Sequence, residues 1–351
     1  MSTLVISDLH LGSLLGRDVL RRPVALDALC ARLDGIDRLV LLGDTLELFE
    51  GRPRAAAAAA RPVLTRLAGA LGRGGEVIVV AGNHDGALVQ PRIRAMRASG
   101  TPLRPATRLP RTATAELDEL CGWLAPARVE VRYPGVWLDD GVWATHGHYL
   151  DRHLVEALAG RDPSLGERRT ADDYERGKGL DATLLSDAAE VSLPEPLALL
   201  TDGAIAASRV LLAAGAPLAA GLPGIAPGLR RLSVAAPILL DHGLHRRAAL
   251  PAMAAVVARL HVPARWTIFG HIHRRGPLPG DGGPLWHPLG PAGPGLANTG
   301  SWVYDALLAG ADEARGERPY RPGGAVLVEP GAPPRAIDVL AGVPDHLLHG
   351  R

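Results

Sequence analysis

Five short clusters of carboxylate, imidazole and carboxamide side chains recur along the chain, each following a short run of apolar, often β-branched residues. They are Asp8-Leu9-His10, Gly43-Asp44-Thr45-Leu46-Glu47, Gly82-Asn83-His84-Asp85, His146-Gly147-His148 and Gly270-His271-Ile272-His273. Such oxygen and nitrogen donors suit borderline or hard divalent ions such as Mn²⁺, Fe²⁺ or Zn²⁺, and no thiolate joins them to favour a softer metal. Asp8, His10, Asp44, Asn83, His146, His271 and His273 suffice for two ions, whereas a mononuclear site would leave ligands unused. Two cations about 3.5–4 Å apart can clamp the attacking and leaving oxygens of an in-line displacement, which is what phosphoryl hydrolysis requires.

The clusters can act together only if the elements before them bring them to one place. Residues 3–7, 38–42 and 76–81 read as strands, and helices are expected from near Arg22, with Pro23 in the first turn, and from the alanine run 55–60 to about Leu71. Further strands are expected at 128–132, 142–145, 265–269, 296–298 and 325–329. This is α/β architecture, in which ligands bind beyond the carboxyl ends of strands, so five loops of this kind converge. In Asp-x-His and His-x-His the paired residues point the same way on an extended segment. Glycines 43, 82 and 270 are read as letting the chain turn sharply after its strand.

Between about residues 149 and 262 the texture changes to Ala/Leu-rich segments broken by Pro and Gly, read as a helical insertion. The expected division is a discontinuous catalytic core, 1–150 and 262–345, with an insertion or lid at 151–261. Residues 210–229 carry no charge and match a membrane span in length, but their seven Gly and Pro residues favour short buried helices over a spanning one. Peripheral contact with a membrane or with a lipid chain through the insertion stays open. The net charge of +1 offers no general attraction for nucleic acid, and none is expected as a partner. Two cysteines are too few for a disulfide framework and the first residues lack a signal-peptide pattern, so a cytoplasmic location is expected.

The five blocks, in this order, resemble the calcineurin-like metallophosphoesterase superfamily: D-x-H, G-D-x-x-D/E, G-N-H-D/E, a later H and G-H-x-H. The resemblance implies a four-layer α/β/β/α sandwich. It also implies that Asp8, His10 and His273 hold one ion, that Asn83, His146 and His271 hold the other, and that Asp44 bridges them. A bridging hydroxide would attack phosphorus, and His84 would donate a proton to the leaving oxygen or stabilise its charge. Asp85 and Glu47 would orient His84 and fix the loops. His148 could replace His146 as a ligand, touch substrate phosphate or support a ligand; His146 is favoured because it directly follows its strand.

Ser-Asp-Leu-His-Leu-Gly at 6-residue reach from Ser7, and the run 43–50, are similar to the branch of UDP-2,3-diacylglucosamine diphosphatases, which implies a lipid-linked substrate. Asn-His-Asp at 83–85 is instead the pattern of general phosphodiesterases and phosphatases. The expected substrate is therefore a small-molecule or lipid-linked phosphodiester or pyrophosphate. Arg92 and its neighbouring arginines could contact an anionic substrate, although a solvated helix face is the simpler reading. Trp302, in the segment Asn298-Thr299-Gly300-Ser301-Trp302, is expected to close the pocket wall with a stacking surface. A nuclease would need a basic track, and a non-catalytic scaffold should have lost ligands that this chain retains.

Overall fold

The computed structural model describes residues 1–13, 16–49, 53–139, 141–176, 245, 247–305 and 318–349. The chain divides into two compact units, one of residues 1–148, 166–176 and 257–351, the other of 149–165 and 177–256. Among the described residues the first holds every strand. In chain order its elements are β1 (Thr3–Ile6), α1 (Pro23–Arg32), β2 (Arg38–Leu42), α2 (Pro53–Leu71), β3 (Glu76–Val80), α3 (Gln90–Ala98), β4 (Thr107–Leu109), α4 (Ala115–Trp123), β5 (Arg128–Tyr133), β6 (Gly135–Asp139) and β7 (Val142–Thr145). The short helix α5 (Leu154–Leu158) belongs to the second unit. The first unit resumes with α6 (Ala171–Arg176), β8 (Trp266–Phe269), β9 (Gly295–Asn298), β10 (Gly324–Val328) and β11 (Arg335–Asp338).

Two mixed sheets result, flanked by helices as in a metallophosphoesterase sandwich. The larger has seven strands in the order β11-β10-β1-β2-β3-β5-β4, and the smaller has four in the order β6-β7-β8-β9. Strands β1, β2, β3 and β5 run parallel, as do β7, β8 and β9. Strands β1 to β3 are buried at nearly every position, the pattern of parallel strands covered on both faces. Val5, Val40, Leu42, Ile78 and Val80 of the large sheet join Val136, Val142, Ala144, Ile268 and Ala297 of the small one in a single apolar core.

Helix α1 starts on Pro23 and α2 on Pro53, where a missing N–H costs nothing because the first turn has no intrahelical acceptor for it. Helix α4 is capped by Thr114, whose hydroxyl accepts from Leu117 N at 3.2 Å. Among the described residues no helix is long and apolar enough to cross a membrane. The uncharged stretch 210–229 lies outside the described residues.

Candidate metal centre

Each of the five clusters begins at the carboxyl end of a parallel strand: β1, β2 and β3 in the large sheet, β7 and β8 in the small one. Pairing continues past the strands and ties the loops together. Asp8 N donates to Gly43 O at 3.1 Å, His10 N to Asp44 O at 2.8 Å, Leu11 N to Thr45 O at 3.1 Å, and Gly270 N to His146 O at 2.8 Å. The loops are therefore extensions of their sheets, and side chains on them are placed by backbone geometry.

Within these five loops potential ligand atoms gather in three overlapping groups, each within 4.8 Å: Asp8 with His10 and His273, His10 with Asp44 and His84, and Asp44 with His146 and His271. The first and last strand-end loops, more than 260 residues apart in sequence, thus meet, with Asp8 Oδ1 3.3 Å from His273 Nε2. Asp44 Oδ2 lies 3.8 Å from His10 Nε2 and 3.2 Å from His146 Nε2, so one carboxylate oxygen touches both ends of the cluster. Asn83 Oδ1 is 3.0 Å from His146 Nε2. Near it, His148 stacks obliquely on His146, ring centroids 5.6 Å apart, and its Nε2 lies 3.4 Å from the Tyr133 hydroxyl.

The donor set fits divalent cations on three counts. First, Asp8 is oriented with one oxygen spent and one spare. Its Oδ2 accepts from Ser7 Oγ and from His271 N, while Oδ1 has no hydrogen-bond partner; nor does His10 Nε2, whose ring is held from the other side by Nδ1 on Glu47 Oε2 at 2.8 Å. A buried polar atom left unmet costs about 1–3 kcal/mol, and a cation would meet both.

Second, the charges suit one. Burial raises the Asp8 pKa, but its interactions with His273 and His146 outweigh that and hold it at about 2. Burial likewise opposes ionisation of Asp44, and His146 and His10 overcome it, leaving its pKa well below the usual carboxylate value.

Third, the backbone is strained at these positions. Among the described residues six non-glycine residues have positive φ, and five of them are Asp8, His10, Asp44, His271 and His273. Such conformations cost about 1–3 kcal/mol each and gather where function demands them.

Glu47 and Asp85 divide a task that the sequence assigns to both. Glu47, buried, reaches His84 Nδ1 at 2.9 Å as well as His10 Nδ1. Burial lowers the His84 pKa, but Glu47 and Asp44 outweigh it and lift it to about 9, so the ring carries a proton at neutral pH. Asp85 makes no such bond to His84. Its carboxylate accepts from Gly82 N at 2.7 Å and Thr45 N at 2.8 Å, pinning the second loop to the third. Burial and the neighbouring Asp44 push Asp85 up to about 6. The expectation that Asp85 orients the His84 ring is corrected accordingly: its oxygens are drawn to unpaired backbone N–H groups nearer to hand.

Two further expectations need amendment. The Trp302 side chain is fully buried and presents no stacking surface; it is the backbone N–H of this residue that donates to Asp8 O at 3.0 Å and braces the first loop. Of the three glycines only Gly43, at φ 90, needs left-handed backbone. All three, however, make room for the centre. A Cβ would come within 2.3 Å of the His146 ring at Gly43, 2.2 Å of Asp44 Oδ1 at Gly82, and 2.2 Å of Ser7 Oγ at Gly270.

Arg92 lies exposed on α3 with Arg94, the pattern of a solvated face. Sequence reasoning missed Ser7 and Thr299. The two hydroxyls lie 2.6 Å apart, and Ser7 fixes the rotation of the Asp8 carboxylate. A serine directly before the first Asp was visible in the sequence, but only the fold brings Thr299 to it.

A family model described as calcineurin-like phosphoesterase matches residues 1–191, more than half of the chain. No curated protein shows a significant match. The matched segment ends before His271 and His273, which the fold brings back to it.

Proposed function

We propose, for a chain that belongs to the calcineurin-like phosphoesterase family, that this cluster is a two-metal centre for hydrolysing a phosphodiester or pyrophosphate bond. Asp8, His10 and His273 would hold one ion, Asn83, His146 and His271 the other, and Asp44 both. The observation that carries this reading is the position of Asp44 Oδ2, 3.8 Å from His10 Nε2 and 3.2 Å from His146 Nε2. Two divalent cations, Mn²⁺ in this reading, supply an activated water and neutralise charge on the phosphoryl oxygens when bound.

The chain's own residues do the rest. Ser7 and the His271 N–H rotate Asp8 so that its spare oxygen faces His273 and His10. Glu47 keeps His84 protonated and aligned. As the bond from phosphorus to the attacking water oxygen forms and that to the leaving oxygen breaks, His84 would pass its proton to the leaving oxygen, while the proton shed by the attacking water goes to solvent and a proton from solvent restores His84. The Asn83-His84-Asp85 block supports a diester, and the likeness of residues 7–12 and 43–50 to the diphosphatase branch supports a pyrophosphate. Residues 151–261 are taken as an insertion in the sequence of the catalytic core.

Purified protein loaded with Mn²⁺ is expected to bind two ions per chain and to hydrolyse bis-p-nitrophenyl phosphate. Metal content by elemental analysis and release of nitrophenol test both halves. A chain that holds two ions but turns over no diester, pyrophosphate or monoester would end the hydrolase reading.

A further inference from the structure

The two phenylalanines of the chain have opposite fates. Phe269, at the end of β8, is fully buried, whereas Phe49 is 81% exposed, more than any other large apolar side chain among the described residues. A lone exposed apolar side chain is ordinary at a protein surface. Phe49 differs in what it stands against and in how it is held.

Its ring meets the His84 ring edge to face, with centroids 5.6 Å apart and planes inclined at 64°. Its backbone N–H donates to Glu47 Oε1 at 3.1 Å, the same oxygen that His84 Nδ1 meets at 2.9 Å. One buried carboxylate thus sets both the histidine and the aromatic residue beside it. The side chain of His84 is itself 23% exposed, so solvent and ligand can reach this side of the cluster.

We propose that Phe49 is a stacking platform for the leaving group, so that the site takes phosphoesters whose departing portion is a planar aromatic or heteroaromatic ring close to the scissile oxygen. The inference rests on the reading of His84 as proton donor to the leaving oxygen. A group leaving toward His84 passes beside Phe49, because the two rings are in contact. An aromatic face open to solvent gains from covering a second ring in offset or edge-to-face contact, whereas an alkyl leaving group gains less and inorganic phosphate nothing. The contact adds binding and not bond-breaking, so it acts on affinity and KM and leaves kcat nearly unchanged.

The test compares phenyl phosphate and methyl phosphate as ligands of the Mn²⁺-loaded protein by calorimetric titration, in wild type, Phe49→Ala and Phe49→Trp. In Phe49→Ala, phenyl phosphate is expected to bind about tenfold more weakly, with methyl phosphate and metal content unchanged; Phe49→Trp should restore the preference. Equal loss for both ligands would show that Phe49 only packs against His84, and no loss for either would show that it faces empty solvent; each overturns the platform. Turnover of bis-p-nitrophenyl phosphate by the wild type is scored separately. Its absence counts against the hydrolase reading, whereas unchanged phenyl selectivity in Phe49→Ala counts against the platform alone.

Discussion

The seven-stranded and four-stranded sheets meet at one site but bring different chemistry to it. Loops from β1, β2 and β3 carry all of its carboxylates, Asp8, Asp44, Glu47 and Asp85, with Asn83 and the histidines His10 and His84. Loops from β7 and β8 carry only imidazoles: His146, His148, His271 and His273. Carboxylate charge therefore enters from one sheet and imidazole nitrogens from the other. The anionic side is also the more braced. Asp8 is turned by Ser7, Asp44 Oδ1 accepts from His84 N at 2.8 Å, and Asp85 and Glu47 are buried and bonded. The difference teaches that charge must be fixed by a network, since a misplaced buried carboxylate is costly, whereas an imidazole needs chiefly a direction. His146 takes that direction from Leu42 O of the opposite sheet, 3.0 Å from its Nδ1.

This contrast can be broken experimentally. Asp44→Asn should have the largest effect, abolishing hydrolysis and lowering bound metal below two ions per chain, because it removes charge from the oxygen that touches both ends of the cluster. Retained activity would remove Asp44 from its shared position. Changing His84→Ala should lower kcat by about 10²–10⁴-fold while metal content stays near two; loss of metal would mean that the large sheet holds its ions through His84 as well. Ser7→Ala is expected to weaken metal binding about 10–100-fold by freeing the Asp8 carboxylate to rotate, read from Mn²⁺ titration. An unchanged affinity would show that the His271 N–H is enough.

The last effect belongs to the imidazole side, is graded with pH, and is the smallest when read over a single pH unit. Burial alone would lower the His146 pKa, but Asp44 outweighs burial and raises it from 6.5 to about 10. Without metal, the protonated His146–Asp44 pair stabilises the fold fully below 6.5, and that contribution is lost as pH rises through about 10. Metal uptake runs the other way, because the imidazole must shed its proton to bind a cation. Mn²⁺ affinity should therefore rise across this window, by at most about tenfold per pH unit for one proton, with protons released on binding. Affinity independent of pH would mean that His146 is already neutral beside Asp44.

Much of this was legible before any fold was known. The strands that carry the clusters were readable because β1, β2, β3, β7 and β8 are short apolar runs ending in Gly, Asp or His, and their bounds fall within a residue of expectation. Strands β4, β6 and β11 were not, since three to five residues such as Thr107–Leu109 have too little pattern of their own and become strands by pairing along a neighbour. At the site, residue types announced the ligands but not their supports. The bond from Ser7 to Thr299 spans 292 positions, and the burial of Trp302 depends on what closes over it. Helix α4 was absent from the sequence reading for another reason: it has only nine residues and one narrow buried stripe.

The left-handed backbone at Asp8, His10, Asp44, His271 and His273 has a consequence for how such a chain can drift. Aspartate, asparagine and histidine tolerate that conformation better than most residues, and β-branched ones scarcely at all. The letters available at these positions are therefore few even before any cation imposes its own demand. A descendant that gave up its metals would not fill the five places at random; it would slide toward glycine and asparagine, and those substitutions would mark a retired centre long after its chemistry had gone.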